Sequence, residues 1–185
     1  MSSMDIAVDR AGYMLCWGCM VWVPSVYTLS TYYIVNNGST MSETGAILTL
    51  LAGAIAIFLN YDCDYQRYVF RSTGGKCKIF RSDPTYVNAV YKDGRGKTRR
   101  SMLLTSGWWG VAKHIGYNFE VLSAFLWSLP AGFGNLIVPY FYVAFLAVLL
   151  VDRACRDDDK CRKKYGKAWE EYEREVRWKL VPGVF

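Results

Sequence analysis

The chain has 185 residues, 52% of them hydrophobic, with 22 Lys/Arg against 16 Asp/Glu, a net charge of +6 and one histidine. The length suits one modest domain, but charge is so unevenly placed that an ordinary soluble core is excluded. The basic excess lies between apolar runs without zinc-finger spacing, which excludes a nucleic-acid partner and leaves topology control and attraction to membrane lipids.

Residues 11–34 (AGYMLCWGCMVWVPSVYTLSTYYI) carry no charge, and neither do 44–61 (TGAILTLLAGAIAIFLNY). About 20 apolar residues cross a bilayer core as a helix, so both runs are predicted membrane helices. The first is not a signal peptide: Asp5 and Asp9 outweigh Arg10, and the apolar part is too long and too aromatic. Asn37-Gly38-Ser39 matches the N-glycosylation pattern but sits against the membrane. Tyr61–Ser72 extends the second helix into the cytosol, with Arg67 and Arg71 on one face, and Thr73-Gly74-Gly75-Lys76 ends it. Lys78–Arg99 reads as a short extended or hairpin excursion turning at Lys92-Asp93-Gly94-Arg95-Gly96.

Leu103–Tyr117 leads back towards the membrane. The uncharged run Val121–Val151 is too long for one straight helix and holds Pro130, Gly132, Gly134 and Pro139 in its middle. It is predicted as a helical hairpin, about 119–131 and 136–152. A polar helix follows, then Pro182-Gly183 and a hydrophobic terminus. The fold class is therefore all-α integral membrane, with about four transmembrane helices including a C-terminal hairpin, plus a cytosolic helical tail. The expected divisions are 1–62, 63–118, 119–152 and 153–185.

Charge placement gives the orientation. Segment 62–114 and the tail 152–185 hold the basic excess, while the linker Asn36–Glu43 has no basic residue. By the positive-inside rule the two basic segments face the cytosol and the linker faces the lumen. An even number of crossings between them is then required, as a hairpin supplies. The six cysteines form no metal set: Cys16 and Cys19 are a C-x-x-C inside an apolar run without a second pair. No metal is expected.

Three clusters could carry chemistry, all on the cytosolic side. The first is Arg67 with Arg71. The second is Trp108-Trp109-Gly110 with Lys113, His114 and Tyr117. The third runs from Arg156 and Asp157 through Lys160, Arg162, Lys163, Lys164 and Tyr165 to Trp169 and Tyr172. Arg and Lys clamp phosphates, aromatic faces cover a base or nicotinamide ring, and Asp157 can accept from a ribose hydroxyl. Asp157, Cys161, Lys164 and Tyr165 fall near one helical face. The same residue types also serve as snorkelling anchors and interfacial aromatics, and both readings stand at this point. No Walker loop or G-x-G-x-x-G is present. Glu120, a carboxylate at the start of an apolar arm, is a functional candidate by default.

The blocks LLTSGWWGVAKH, PYFY, DRACRDDDKCRKKYGKAWEEY and LVPGVF resemble the C-terminal signature of the sterol reductase family, which includes the C14, Δ24(28) and Δ7 reductases. GYMLCWGCMVWVPSVYTL and YQRYVFRSTGGKC extend the resemblance upstream, so it covers nearly the whole chain. Pro-Gly-Val-Phe and Arg-Asp-Asp-Asp-Lys-Cys look most like the Δ7 type. The resemblance implies a multi-pass enzyme of the endoplasmic reticulum that reduces a sterol ring double bond with NADPH, in the company of other sterol-biosynthesis enzymes. It places cofactor contacts on Arg67, Arg71, Leu104, Trp109, Gly116, Tyr117, Asp157, Cys161, Arg162, Lys163, Lys164, Tyr165 and Tyr172. At Gly116 the family's polar side chain is missing. Tyr117, His114 and Glu120 are the candidate proton donors. Family members carry further membrane helices ahead of the position matched by Met1, so the resemblance implies a fragment, a truncated gene product or a misassigned start, with part of the sterol cavity missing. A competing resemblance is to isoprenylcysteine methyltransferases, which use S-adenosylmethionine and share the basic-His-x-x-Tyr segment, the hairpin and the aromatic ending. A third reading is an inactive, truncated sterol-reductase-like membrane protein.

Overall fold

The structure is a computed structural model that describes residues 16–92, 96–134 and 137–184. The start of the predicted first span, the tip of the predicted 92–96 turn and the predicted start of the second hairpin arm lie outside these residues. Helix dominates. A π-helical segment Gly18–Tyr27 is followed by α1 (Leu29–Asn37), α2 (Glu43–Ser72), strands β1 (Tyr86–Lys92) and β2 (Thr98–Leu104), α3 (Trp108–Val111), α4 (Ile115–Ser128), a 3-10 turn Leu129–Ala131, α5 (Phe141–Tyr165) and α6 (Lys167–Glu175). The expectation of an all-α fold is thus corrected at the hairpin, where β1 and β2 pair antiparallel with Tyr86 opposite Leu104 and Lys92 opposite Thr98.

Among the described residues α2 alone is both long and apolar enough to cross a membrane in one piece. Its 30 residues span about 45 Å. Ile47, Leu48, Leu50, Leu51, Ile55, Ile57 and Phe58 are all exposed, so its apolar part is uncovered on several sides, as a lipid-facing helix is. The first predicted span is broken instead. Pro24 lacks an N–H and crowds the preceding turn, the winding opens to π geometry around it, and a turn at Thr28 separates this segment from α1. Side-chain hydroxyls bond the carbonyls there: Ser25 donates to the Val21 carbonyl and Thr28 Oγ1 to that of Pro24 at 2.6 Å.

The chain divides into two compact units. In the first, Met1–Leu51 with Ala124–Leu146, aromatic rings do the packing. Trp22 stacks on Phe145 with centroids 4.6 Å apart, and Tyr142 lies against Tyr27 at 4.1 Å and Trp127 at 5.5 Å. Ser39 Oγ donates to the Pro130 carbonyl at 2.9 Å, tying the α1–α2 linker to the turn after α4.

The second unit, Ala52–Ser123 with Ala147–Phe185, holds every candidate site residue. Val87, Ala89 and Leu103 of the hairpin form one core with Trp169, Tyr172 and Val176. Strand alternation supplies the buried face of β1, with Val87 and Ala89 inward and their neighbours outward. Phe70, Ile79 and Leu104 form a second cluster, and Cys63, Ala112 and Ile115 a third. The tail predicted as a separate polar helix is continuous with the apolar arm as α5, and Gly166, at φ 54, breaks it from α6. Between α2 and β1, Phe80 and Arg81 both adopt left-handed backbone, φ 48 and 69, at a cost of about 1–3 kcal/mol each.

Candidate active site

The end of α2 anchors the site. Trp108 donates its indole N–H to Asp62 Oδ2 at 2.7 Å and its backbone N–H to Gln66 Oε1 at 3.3 Å. Gln66 in turn donates to Asp62 at 2.8 Å. Trp109 donates its indole N–H to the Cys63 carbonyl at 3.0 Å. With that ring fixed, the Arg67 guanidinium lies over it, 4.5 Å from the centroid, a cation–π contact. Two glycines permit this approach. A Cβ on Gly107 would strike Gln66 Oε1 and come within 2.5 Å of Ile79, and one on Gly110 would lie 2.5 Å from the Thr105 carbonyl oxygen.

The next segment brings His114 and Tyr117. Their rings stack with centroids 5.1 Å apart and 13° between planes. His114 Nε2 lies 3.8 Å from Asp157 Oδ2. Burial holds the imidazole below its usual pKa, Asp157 pulling the other way, with Arg67 among the nearby charges. The backbone here is held by the C-terminal segment: Lys113 N–H donates to the Trp178 carbonyl at 3.0 Å, His114 N–H to that of Lys179 at 2.9 Å, and Asn118 to that of Leu180 at 2.6 Å.

The polar half of α5 supplies the opposite wall. Burial, then Asp157, pushes the Cys161 thiol up to about 12, with Arg67 and Lys164 opposing, so it is an unreactive thiol. Lys164 Nζ lies 4.3 Å from the Tyr91 ring centroid and 4.9 Å from that of Tyr165. Tyr91 meets Tyr165 edge-on at 5.4 Å, and the aromatic series continues through Trp169 to Tyr172. Burial drives the Tyr172 hydroxyl above its usual range, Arg67 opposing. Arg71 shares its surroundings with Arg67, Tyr165, Cys161 and Tyr91.

Arg67 thus touches Trp109, and its charge also acts at longer range on His114, Tyr117, Cys161 and Tyr172. Such a cationic centre with aromatic walls and one carboxylate, Asp157, suits a phosphate-bearing ligand with flat rings.

Residues 1–185 match the model of the Ergosterol biosynthesis ERG4/ERG24 family. The chain belongs to this family.

Among curated ERG4/ERG24 relatives, it is 52% identical over 184 residues to a 7-dehydrocholesterol reductase of Arabidopsis thaliana, covering 100% of this chain and 42% of the relative. It is 38% identical over 185 residues to a 7-dehydrocholesterol reductase of Xenopus laevis, covering 100% of the chain and 39% of the relative. To a Delta(14)-sterol reductase of Methylotuvimicrobium alcaliphilum it is 36% identical over 188 residues, covering 100% and 41%. The chain spans 42% or less of the length of each of these relatives.

The remaining predicted positions of this ERG4/ERG24 chain are held by other partners or exposed. Arg162 pairs with Glu173 at 2.9 and 3.2 Å, and Lys163 is exposed. Leu104 is buried with Phe70 and Ile79, with Trp109 packed against that cluster. Gly116 turns its bare Cα towards α2, where a Cβ would meet Asn60 at 3.2 Å. Glu120 is half-buried, near Arg153 and Asp64. Sequence reasoning placed Trp169 in the third cluster but missed Tyr91 as a member of the aromatic wall. It also missed the buried network in which Lys113 Nζ reaches Asp158 at 3.0 Å and Glu173 at 2.8 Å. Charged side chains hidden at 4% and 3% exposure leave no trace in the sequence pattern.

Proposed function

We propose that this chain forms the cofactor-binding end of an NADPH-dependent sterol reductase acting on a ring double bond, with Δ7 the favoured position. The observation that carries the reading is the Arg67 guanidinium held 4.5 Å over the Trp109 ring, in the same compact unit as the stacked His114 and Tyr117 rings and Asp157, 3.8 Å from His114. The 52% identity to a 7-dehydrocholesterol reductase, against 36% to a Delta(14)-sterol reductase, favours Δ7.

The residues present fit such a cofactor. Arg67, Arg71 and Lys164 supply cations for its phosphates, and Asp157 an acceptor for a ribose hydroxyl. Trp109, Tyr91 and Tyr165 offer ring faces. The Trp169 indole N–H is buried with no hydrogen-bond partner among the described residues, a donor that an acceptor-rich ligand would satisfy. When bound, the nicotinamide supplies a hydride, and the protein must then supply a proton. Tyr117 holds one in its hydroxyl at neutral pH. His114, stacked on it and kept neutral by burial, orients the phenol, and Asp157 lies behind the imidazole. Glu120, one turn along α4, is the alternative acid.

The setting we propose is the endoplasmic reticulum membrane, with four crossings and the segments 62–114 and 152–185 in the cytosol. The uncovered apolar part of α2 and the basic excess of those segments support it. The curated relatives carry further sequence outside the matched part, and the sterol-facing surface is assigned partly to such sequence. Tyr117 and Glu120 are this chain's own share of it.

The test is expression in yeast that accumulates 5,7-diene sterols. Loss of the conjugated-diene absorbance with a two-hydrogen gain in mass establishes Δ7 reduction by this chain. An unchanged profile with the protein in the membrane overturns turnover by the chain alone. Purified chain that binds S-adenosylmethionine in preference to NADPH would overturn the cofactor assignment as well.

A further inference from the structure

The chain makes a tight reversal at Ile79-Phe80-Arg81-Ser82, between α2 and β1. Ile79 N–H donates to the Ser82 carbonyl at 2.9 Å, and Ser82 N–H to that of Ile79 at 3.0 Å. The two central residues, Phe80 at φ 48 and Arg81 at φ 69, occupy a geometry normally filled by Asn-Gly. Bulky residues hold it only where their surroundings over-determine it, and such outliers concentrate where a position has work to do.

The reversal fixes a height. Ile79 is buried at 5% exposure, while Phe80 beside it is 61% exposed and lies edge-on to Trp108 at 5.6 Å. Trp108 is bonded to Asp62 and Gln66, which follow closely on Tyr61, the last residue of the uncharged run of α2. At 1.5 Å per residue, Asp62 and Gln66, which hold the ring that Phe80 touches, stand about 2–8 Å along the helix beyond that run. That is the depth of the headgroup layer, about 5–7 Å on each side of the hydrocarbon core. Lys76, Lys78 and Arg81, within four residues of Phe80 in the chain, are exposed, as is the acidic Asp83.

We propose that the 76–82 loop is a contact site for anionic phospholipid headgroups. Phe80 enters the interfacial layer, and Lys76, Lys78 and Arg81 hold phosphate and carboxylate groups around it. This rests on the membrane reading of α2 given above. The Phe80–Trp108 contact then links the bilayer surface to the Trp108-Trp109 segment that supports Arg67.

The experiment places the full chain in nanodiscs of phosphatidylcholine alone or mixed with phosphatidylserine and follows amide hydrogen exchange. Exchange over 76–82 is expected to be several-fold slower with phosphatidylserine, while the 86–104 hairpin is unchanged. High salt, or the K76Q/K78Q/R81Q variant, should abolish the difference. Equal exchange in both discs overturns the proposal. So does inositol hexakisphosphate, if it slows the loop in phosphatidylcholine discs as much as the lipid does, since the site would then take any polyanion. Protein that is extracted from membranes by alkaline carbonate removes the membrane reading and the contact together. Protein that stays embedded with an indifferent loop removes the contact alone.

Discussion

Lys113 Nζ lies 3.0 Å from Asp158 Oδ1 with both side chains almost wholly excluded from solvent. Glu173 at 2.8 Å and Lys179 at 3.5 Å from Asp158 complete the network. Asp158 sits beside Asp157 in sequence, yet the two face different partners: Asp157 looks to His114, and Asp158 fastens α5 to Lys113 before α4 and to Lys179 beyond α6. Removing one partner strands a buried charge, so Lys113→Met should cost about 3–5 kcal/mol. Lys113→Met with Asp158→Leu should lose less than either single change. Thermal unfolding in detergent, followed by tryptophan fluorescence, reads both.

The same network gives an acid limb. Burial alone would raise the Asp158 pKa, but the hydrogen bond and charge of Lys113, with Lys179, outweigh it and hold it below the usual value. Stability from a depressed carboxyl is complete above its unfolded pKa, about 4, and is lost as pH falls through the lower folded value. His114 acts in a separate window. Its folded pKa is lowered by burial, so between that value and about 6.5 the unfolded chain binds a proton that the folded chain refuses. Stability should therefore rise with pH up to about 6.5, and His114→Gln should flatten that slope while leaving the carboxylate limb intact. Denaturation midpoints across pH 2 to 8 separate the two.

Gly110→Ala is expected to destabilise without altering any charge. The added carbon would meet the Thr105 carbonyl at 2.5 Å, and backbone cannot swing aside as a side chain can. A loss of about 1–3 kcal/mol should accompany disturbance of the Trp109 indole, seen as a shifted tryptophan emission.

Arg67 carries the cofactor prediction. Arg67→Ala should weaken NADPH binding by roughly 1.5–3 kcal/mol, the range for hydrogen bonds to charged groups. Arg67→Lys should keep part of the affinity, because the charge remains while the planar fork is lost. Calorimetric titration with NADPH and NADH checks it. Equal binding by wild type and Arg67→Ala would remove Arg67 from the site.

Arg81→Gly is expected to stabilise the isolated fold, since glycine adopts left-handed backbone freely. The gain should be about 1 kcal/mol, the lower end of the strain for one such residue. Chemical denaturation in uncharged detergent measures it away from any lipid effect.

The parts legible in the sequence are those written in local periodicity or punctuation. The second predicted span has no charge from Thr44 to Tyr61 and forms the middle of α2. The extended or hairpin excursion expected around the Lys92–Gly96 cluster is the β1–β2 pair, whereas the inward alternation of Val87 and Ala89 emerges only in the structure. Arg67 and Trp109 were named as cofactor contacts through family resemblance, and nothing in their spacing foretold that one would lie on the other. The first span failed as a single helix because one proline at position 24 opens its ladder. Phe80-Arg81 was unreadable, since left-handed turns are sought at Gly, Asn and Asp. Lys113, Asp158 and Glu173 lie far apart along the chain, and only tertiary packing brings them within one ion pair's reach.

The C-terminal segment has a genetic consequence. Trp178, Lys179 and Leu180 offer their backbone carbonyls to Lys113, His114 and Asn118, so what they contribute to that segment is independent of their side chains. Missense alleles at exposed Trp178 should therefore be tolerated more often than those at Lys179, whose Nζ pairs with Asp158, or at buried Leu180. A premature stop at codon 178, by contrast, would remove all three acceptors at once and read as a null.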